Sequence, residues 1–148
     1  MREIDASYSV YDAKNQILGR FASTVARELL AGKSIAVINS ESAIIVGGKR
    51  GIVEKYKTRL NLQEKSNPEH SPYWSRRSDM LVKRAIRGML PYKKATGMNA
   101  YRHLLVFMGV PAKFEKTKPI EIKTKDANGI YMPHMTIRDL SRLLGYNK

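Results

Sequence analysis

The chain has 148 residues, no cysteine and a formal net charge of +14. This length suits one domain with one core, and a hydrophobic content of 43% is against a fully disordered chain. The lack of cysteine excludes disulfides and thiolate zinc sites, and it fits a reducing compartment.

The excess of positive charge predicts a partner that neutralises it, because self-repulsion destabilises a compact chain. Nucleic acid is the first candidate and an anionic membrane surface is the second. The third candidate explanation is that the chain is a basic enzyme whose charges keep it soluble. Residues 1–5 lack the apolar centre of a signal peptide, and no apolar run approaches the roughly 18 residues of a membrane helix. We therefore expect a soluble cytoplasmic protein without a membrane partner.

The first part of the chain predicts a βαβ unit. A strand is expected over residues 8–13, and a helix follows with apolar residues at helical spacing from Leu18 to Leu29 and a stop at Gly32. The continuous apolar run over residues 35–39 predicts a strand buried on both faces. This order of elements favours a parallel sheet with a right-handed crossover.

The next segments predict a helix and a long loop. Residues 43–46 form either a short strand or an extended connection, and the helix after them would bury Ile52, Val53, Tyr56 and Leu60. No periodicity is present from Gln63 to Ser78, which predicts a loop that carries Trp74. Trp74 either packs on the surface of its own domain or becomes ordered only when a partner binds.

An amphipathic basic helix comes next, and it dominates the functional interpretation. Its apolar side chains share one face on a helical wheel: Leu81, Val82, Ala85, Ile86 and Met89. Lys83, Arg84 and Arg87 lie on the opposite face, so one side favours a protein core and the other favours an anion. Ser78 or Asp79 is predicted to cap the helix.

Pro91 is predicted to end this helix. Lys93 and Lys94 continue the charge into the connection, where Gly97 supplies backbone freedom. A short helix over residues 99–103 and a buried strand over residues 104–108 are then expected.

The remaining residues predict a C-terminal extension, about 112–148, that docks on a core of about residues 8–111 within one domain, 1–148. A strand-like piece is expected at residues 120–123 and a turn at residues 128–129. Thr136 begins a capping box, and a short helix then runs to Leu144.

Residues 47–50 follow an apolar run and open a helix, so we considered a phosphate-binding loop. The Walker pattern fails because Ala43 occupies the first glycine position and Arg50 replaces the magnesium-binding Ser or Thr. The dinucleotide pattern fails as well. Glycine amides, a helix N-terminus and two cations remain. These features are consistent with binding of a backbone phosphate and, about equally, with a helix start whose charges are solvated.

No pattern in the sequence supports catalysis. The three histidines lack metal-ligand spacing, and no nucleophile elbow is present. Asp12 and Glu41 lie near predicted strand ends, where capping or ion pairing explains them better than a switch-point site. We expect no catalytic residue, metal, cofactor or small-molecule substrate.

The distribution of the basic residues favours RNA over DNA. They cluster on helix faces and in loops, where they would contact phosphates without reading sequence. No helix resembles a DNA recognition helix, whereas aromatic residues beside arginines in an irregular loop suit RNA.

Four segments occur in the order typical of one known family: Leu18-Gly19-Arg20-Phe21-Ala22-Ser23, Val37-Ile38-Asn39-Ser40-Glu41, Gly47-Gly48-Lys49-Arg50 and Arg87-Gly88-Met89-Leu90-Pro91. The chain resembles the large-subunit ribosomal protein L13 family. The segments Pro91-Tyr92-Lys93-Lys94 and Gly109-Val110-Pro111 are similar to its archaeal and eukaryotic branch.

The resemblance implies a three-layer α/β/α fold with a small parallel sheet of about four strands. It also implies a non-catalytic constituent of the large ribosomal subunit that binds large-subunit rRNA, supports assembly and contacts other large-subunit proteins. We assign the RNA face to twelve residues: Arg20, Lys49, Arg50, Tyr73, Trp74, Arg76, Arg77, Lys83, Arg84, Arg87, Lys93 and Lys94. The alternatives are a free RNA-binding translational regulator and a small nucleotide-binding enzyme that acts on RNA.

Overall fold

The computed structural model describes residues 8–120, 122 and 131–146. Its strands are β1 (Ser9–Asp12), β2 (Ile35–Ile38), β3 (Ile44–Val46), β4 (Leu104–Val106) and β5 (His134–Thr136). Its α-helices are α1 (Leu18–Leu30), α2 (Lys49–Asn61), α3 (Ser78–Met89), α4 (Ala95–Arg102) and α5 (Ile137–Leu143). Short 3-10 turns lie at Ser40–Ser42, Pro68–His70 and Ala112–Phe114.

The main sheet is parallel and has the order β1-β2-β4. All four residues of β2 are buried, which confirms the strand predicted from the continuous apolar run. Its side chains alternate between the two faces, as the period of a strand requires. Ile35 and Val37 join the large core cluster, whereas Ala36 and Ile38 join a smaller cluster on the other face.

The two faces of the sheet are covered unequally. Side chains from all five helices enter the large cluster, and α1 packs directly against α3 and α4. On the other face, Phe114 from the last 3-10 turn packs against Val10, Ala36 and Ile38. The α/β class is therefore confirmed, with a helical layer on one face and a smaller cover on the other.

The parallel sheet has three strands within the described residues, compared with about four expected. The predicted strand-like piece at residues 120–123 contributes one parallel bridge, in which the Ile120 amide donates to the carbonyl of Val10 at 2.7 Å. Glu121 and Lys123 lie outside the described residues, as does the turn predicted at residues 128–129.

The C-terminal segment docks on the core through a second, antiparallel pair. Residues 44–46 are a strand, β3, which pairs with β5. The Ile137 amide then donates to the carbonyl of Ala43 at 2.8 Å. Thr136 caps α5 as predicted, since its hydroxyl accepts a hydrogen bond from the Asp139 amide at 3.1 Å.

The start of α3 differs from the prediction. Arg77 is the N-cap residue, and neither Ser78 nor Asp79 caps the helix, because both already lie inside its first turn. The Asp79 carboxylate instead accepts two hydrogen bonds from the Arg77 guanidinium, at 3.1 and 2.7 Å. An acidic side chain here also interacts favourably with the positive end of the helix dipole.

The end of α3 precedes Pro91, as predicted, but its last apolar residue does not pack as predicted. Met89 is 43% exposed, and Leu90 is buried in its place. The chain leaves the helix at Leu90, so the helical wheel no longer describes which side chain faces the core.

Gly97 also has a different role from the predicted one. The helix α4 begins at Ala95, four residues earlier than expected, and Gly97 lies inside it. A Cβ atom at this position would lie 2.2 Å from the carbonyl oxygen of Pro91. The glycine is therefore needed for a close backbone approach and not for a flexible turn.

We expect Gly97→Ala to destabilise the protein by about 1–3 kcal/mol or more, since the neighbour it meets is backbone. Gly88→Ala is the matched control, because the space around a Cβ at Gly88 is open. The control should be neutral or stabilising by up to about 1 kcal/mol through helix propensity. Urea denaturation followed by circular dichroism measures both, and equal effects would contradict the steric explanation.

Candidate nucleic-acid interface

A cleft of about 400 Å³ lies between α2, α3 and the loop over residues 62–77. We call it the arginine cleft, and it is lined by Tyr56, Arg59, Trp74, Leu81, Arg84, Ala85, Arg87 and Gly88. None of these described lining residues is acidic. The cleft therefore combines positive charge with apolar and aromatic surface.

Trp74 lies against two arginines at this cleft. The guanidinium carbon of Arg84 is 3.5 Å from the centroid of the indole, and that of Arg59 is 4.8 Å away. Arg84 also donates a hydrogen bond from Nη1 to the carbonyl of Tyr73 at 3.0 Å. Trp74 thus packs on the surface of its own domain, which was the first of the two sequence alternatives.

Further cation–aromatic pairs extend along the basic face of α3. The Lys83 ammonium lies 5.2 Å from the ring centroid of Tyr101, and the Arg87 guanidinium lies 5.1 Å from that of Tyr92. Each such contact contributes roughly 0.5–2 kcal/mol, depending on how far it is desolvated. The cations of α3 are therefore half-buried and oriented by aromatic rings.

The electrostatics of the arginine cleft reflect burial first and then the proximity of like charges. Burial, and then the neighbouring charges of Arg87 and Arg59, lower the pKa of the Arg84 guanidinium. Arginine still remains protonated at neutral pH. Burial raises the pKa of the Tyr56 phenol, although Arg59 opposes this, so the ring stays neutral. The site therefore carries positive charge that an anion would neutralise.

One hydrogen bond within the loop over residues 62–77 and another to α5 lie near its two ends. The Ser71 hydroxyl accepts a hydrogen bond from the Glu64 amide at 2.9 Å. Near the other end, the Ser141 hydroxyl of α5 donates to the carbonyl of Arg76 at 2.5 Å. The long loop predicted from the absence of periodicity is present, and it is held to the C-terminal segment.

The twelve sequence-predicted residues are brought together only in part. Trp74, Arg84 and Arg87 line the arginine cleft, and Lys83 lies on the same helix. Four of the predicted residues, all on the loop, line a neighbouring depression of about 540 Å³: Tyr73, Trp74, Arg76 and Arg77. Tyr73 is 87% exposed.

Arg77 differs from the other cations because Asp79 already neutralises it. Its hydrogen bonds to the Asp79 carboxylate raise the pKa of the Arg77 guanidinium. Its role as an RNA contact stays a prediction, and the ion pair makes it a weaker candidate than Arg84.

The other five predicted cations lie away from the lining of the arginine cleft. Arg20 is exposed on α1, and Lys49 and Arg50 are exposed at the start of α2. Lys93 and Lys94 are exposed in the connection between α3 and α4. Their contact with RNA remains a prediction.

Arg59 and Tyr56 were not assigned to the site from sequence. They are three residues apart on α2, so their contact at 5.3 Å follows from helical spacing. The contact of Arg59 with Trp74 joins two elements that periodicity cannot relate. The sequence placed Tyr56 on the buried face of this helix and Arg59 on its polar side, so it gave no signal that the two side chains share a site.

Two acidic residues considered at strand ends have structural roles. Asp12 accepts hydrogen bonds from the Lys14 amide at 2.9 Å and from the Asn39 side chain at 3.0 Å. Glu41 accepts one from the Gly109 amide at 3.0 Å. Among the described residues, no cluster of three or more His, Asp or Glu side chains could hold a metal ion, and no helix is long and apolar enough to span a membrane.

Comparison with known proteins identifies relatives. A family model described as Ribosomal protein L13 matches residues 6–113. The large ribosomal subunit protein uL13 of Archaeoglobus fulgidus is 36% identical over 151 aligned positions, covering 99% of this chain and 93% of the relative. The protein of the same name from Methanosphaera stadtmanae is 39% identical over 138 positions, covering 93% and 96%. That from Methanosarcina barkeri is 42% identical over 119 positions, covering 80% and 83%.

Trp74 is the single tryptophan of the chain, so its fluorescence reports on the cleft. We expect Arg84→Ala to shift this emission to longer wavelength, because the indole loses the cation at 3.5 Å and gains contact with water. Stability should fall by about 1–2 kcal/mol from the lost cation–π contact and hydrogen bond.

Lys57→Ala is the control, since it removes one exposed positive charge from α2 at a residue that does not line the cleft. Fluorescence spectra and urea denaturation of both variants provide the test. An unchanged emission in Arg84→Ala would mean that this arginine does not shield the indole in solution.

Proposed function

The chain belongs to the ribosomal protein L13 family, and from this premise we propose that it is a structural constituent of the large ribosomal subunit that binds large-subunit rRNA and supports subunit assembly. The matched relatives are named as large ribosomal subunit proteins. In this role the chain has no catalytic function, and its charge serves to bind the phosphate backbone.

The observation that carries the proposal is the positive charge of the arginine cleft. Arg59, Arg84 and Arg87 converge there, and the ion pairs found in the described part of the chain involve other residues. Guanidinium groups that line one cleft without a carboxylate repel one another, and a bound anion relieves this repulsion. A polyanion such as rRNA supplies that anion, and arginine binds phosphate with two parallel hydrogen bonds.

A wider RNA surface would surround this cleft. It includes Lys83 beside the cleft and Tyr73 and Arg76 on the adjoining loop. The exposed cations Arg20, Lys49, Arg50, Lys93 and Lys94 would contact phosphates farther along the RNA. Lysine acts there as a point charge, which supports affinity without sequence selectivity.

We further propose that residues 1–148 act as a single RNA-binding domain. Met135, Ile137 and Leu140 support this, because they enter the same core cluster as α1 and α3. Other large-subunit proteins would be its protein neighbours, on ribosomes in the cytoplasm.

We expect the double variant Arg84→Ala/Arg87→Ala to bind large-subunit rRNA about tenfold more weakly at low salt, because two charged contacts are lost. The slope of log affinity against log salt should fall by roughly 0.7–0.9 for each phosphate contact that is removed. Filter binding over a series of salt concentrations measures both quantities.

Lys113→Ala/Lys116→Ala is the control, since it removes the same charge from the segment around Phe114, which covers the other face of the sheet. We expect the control to keep the slope close to that of the wild type. Equal losses in the two double variants would indicate that net charge alone matters and would contradict an interface at the arginine cleft.

We expect the endogenous protein to sediment with the large subunit in a sucrose gradient of cell lysate at high magnesium and at moderate salt. Removal of magnesium unfolds the subunit, and the protein should then sediment more slowly together with it. Retention of the protein at the top of the gradient would contradict a structural ribosomal role and would favour free RNA binding.

A further inference from the structure

Trp74 lines the arginine cleft, and the indole N–H of this side chain lacks a structural role. Its Nε1 atom is buried and has no hydrogen-bond partner among the described residues. A buried donor without an acceptor costs free energy, and tryptophan normally finds a partner when its N–H is buried. A ligand that displaces the side chains covering this atom and brings an acceptor would satisfy the donor.

The lining of the cleft has two chemical characters. Arg59, Arg84 and Arg87 provide guanidinium groups, whereas Leu81 and Ala85 provide apolar surface. A matching ligand combines an anionic group with a flat, largely apolar group that carries hydrogen-bond acceptors. A nucleotide has this combination, and a cleft of about 400 Å³ lies within the usual size range of small-ligand sites.

We propose that the arginine cleft takes one unpaired nucleotide of RNA, with its phosphate among the guanidinium groups of Arg59, Arg84 and Arg87 and its base as the acceptor for Trp74 Nε1. The inference rests on the proposed function, because it specifies which part of an RNA this site binds.

An unpaired nucleotide fits better than a duplex because the donor is buried. In a duplex the bases are stacked and paired, and an RNA helix presents mainly its phosphates and sugars to a protein surface. Those groups reach the rim of the cleft, but a base must leave the stack to reach the buried N–H. Unpaired bases in loops and bulges are free to do so, and arginine planes stack on them.

The charge distribution supports the position of the phosphate. Arg84 is half-buried and lines the cleft together with the two other arginines, and burial and then their charges lower its pKa. A phosphate between them neutralises this repulsion. Arg84 is also held in place by its hydrogen bond to the Tyr73 carbonyl, so the guanidinium is oriented before the RNA arrives.

The test compares two RNAs with the full-length protein: a single-stranded oligouridylate of about a dozen nucleotides and a duplex of the same length. Fluorescence anisotropy of the labelled RNA gives affinities for wild type and for Trp74→Phe, which keeps an aromatic ring and removes the N–H. We expect Trp74→Phe to bind the single strand about tenfold more weakly and the duplex with less than a twofold change.

Tyr131→Phe is the control for the removal of one polar group from an aromatic side chain, because Tyr131 is fully exposed. It should leave both affinities unchanged. A second variant, Arg59→Lys, keeps the charge but loses the planar fork, and we expect severalfold weaker binding of the single strand alone. Thermal denaturation shows whether each variant is folded.

Free uridine monophosphate tests whether the cleft binds a nucleotide within RNA or a free mononucleotide. We expect it to quench Trp74 fluorescence only at concentrations far above those at which the single strand binds. Equal affinity for the free nucleotide would overturn the inference, since the site would then recognise a mononucleotide. Equal loss of single-strand and duplex binding in Trp74→Phe, or no loss of either, would overturn it as well.

These outcomes are distinct from a failure of the proposed function. If the wild type binds both RNAs and sediments with the large subunit while Trp74→Phe shows no selective loss, only the nucleotide site is wrong. If the wild type binds neither RNA and remains at the top of the gradient, the proposed function is wrong and this inference falls with it.

Discussion

The structure depends on the burial of β2 on both of its faces and both of its edges. Its backbone bonds to β1 on one side and to β4 on the other, and its four apolar side chains need cover above and below the sheet. The helices cover one face, and the segment around Phe114 covers the other. Side chains of α2 and α3 that lie outside this cluster line the same cleft, the arginine cleft.

Cation–aromatic contacts give that cleft its shape. Arg59 from α2 and Arg84 from α3 both approach the ring of Trp74, so the loop is fixed by the same side chains that carry the charge. Contact with the rings limits the rotamer freedom of these arginine side chains. An anion that binds there meets donors that are already ordered, which lowers the entropy cost of binding.

The elements set by local pattern were predictable from sequence, whereas the contacts between elements were not. Residues 35–38 form a buried strand because an apolar run has few alternatives, and Thr136 caps α5 because its spacing to Asp139 is local. Gly97 was misinterpreted because its constraint comes from Pro91, which approaches through the turn between two helices. Arg59 was missed as a site residue for the same reason, since its partner Trp74 lies on another element.

In the same way, the helical wheel assigned Met89 to the core, but a wheel assumes that the helix continues. The helix ends there, and Leu90 takes the buried position. The candidate site was thus predictable as a basic helix face next to an aromatic loop. Its assembly into a cleft required the positions of α2, α3 and the loop relative to one another.

The hydrogen bond from Ser141 to the carbonyl of Arg76 has a consequence for the order of events during synthesis. The two residues are 65 positions apart, so the loop that carries Trp74 leaves the ribosome long before its anchor on α5 is made. Until then the loop lacks its hydrogen bond to α5. The arginine cleft therefore reaches its final form only after the segment that begins with β5 has been made and has closed onto the core.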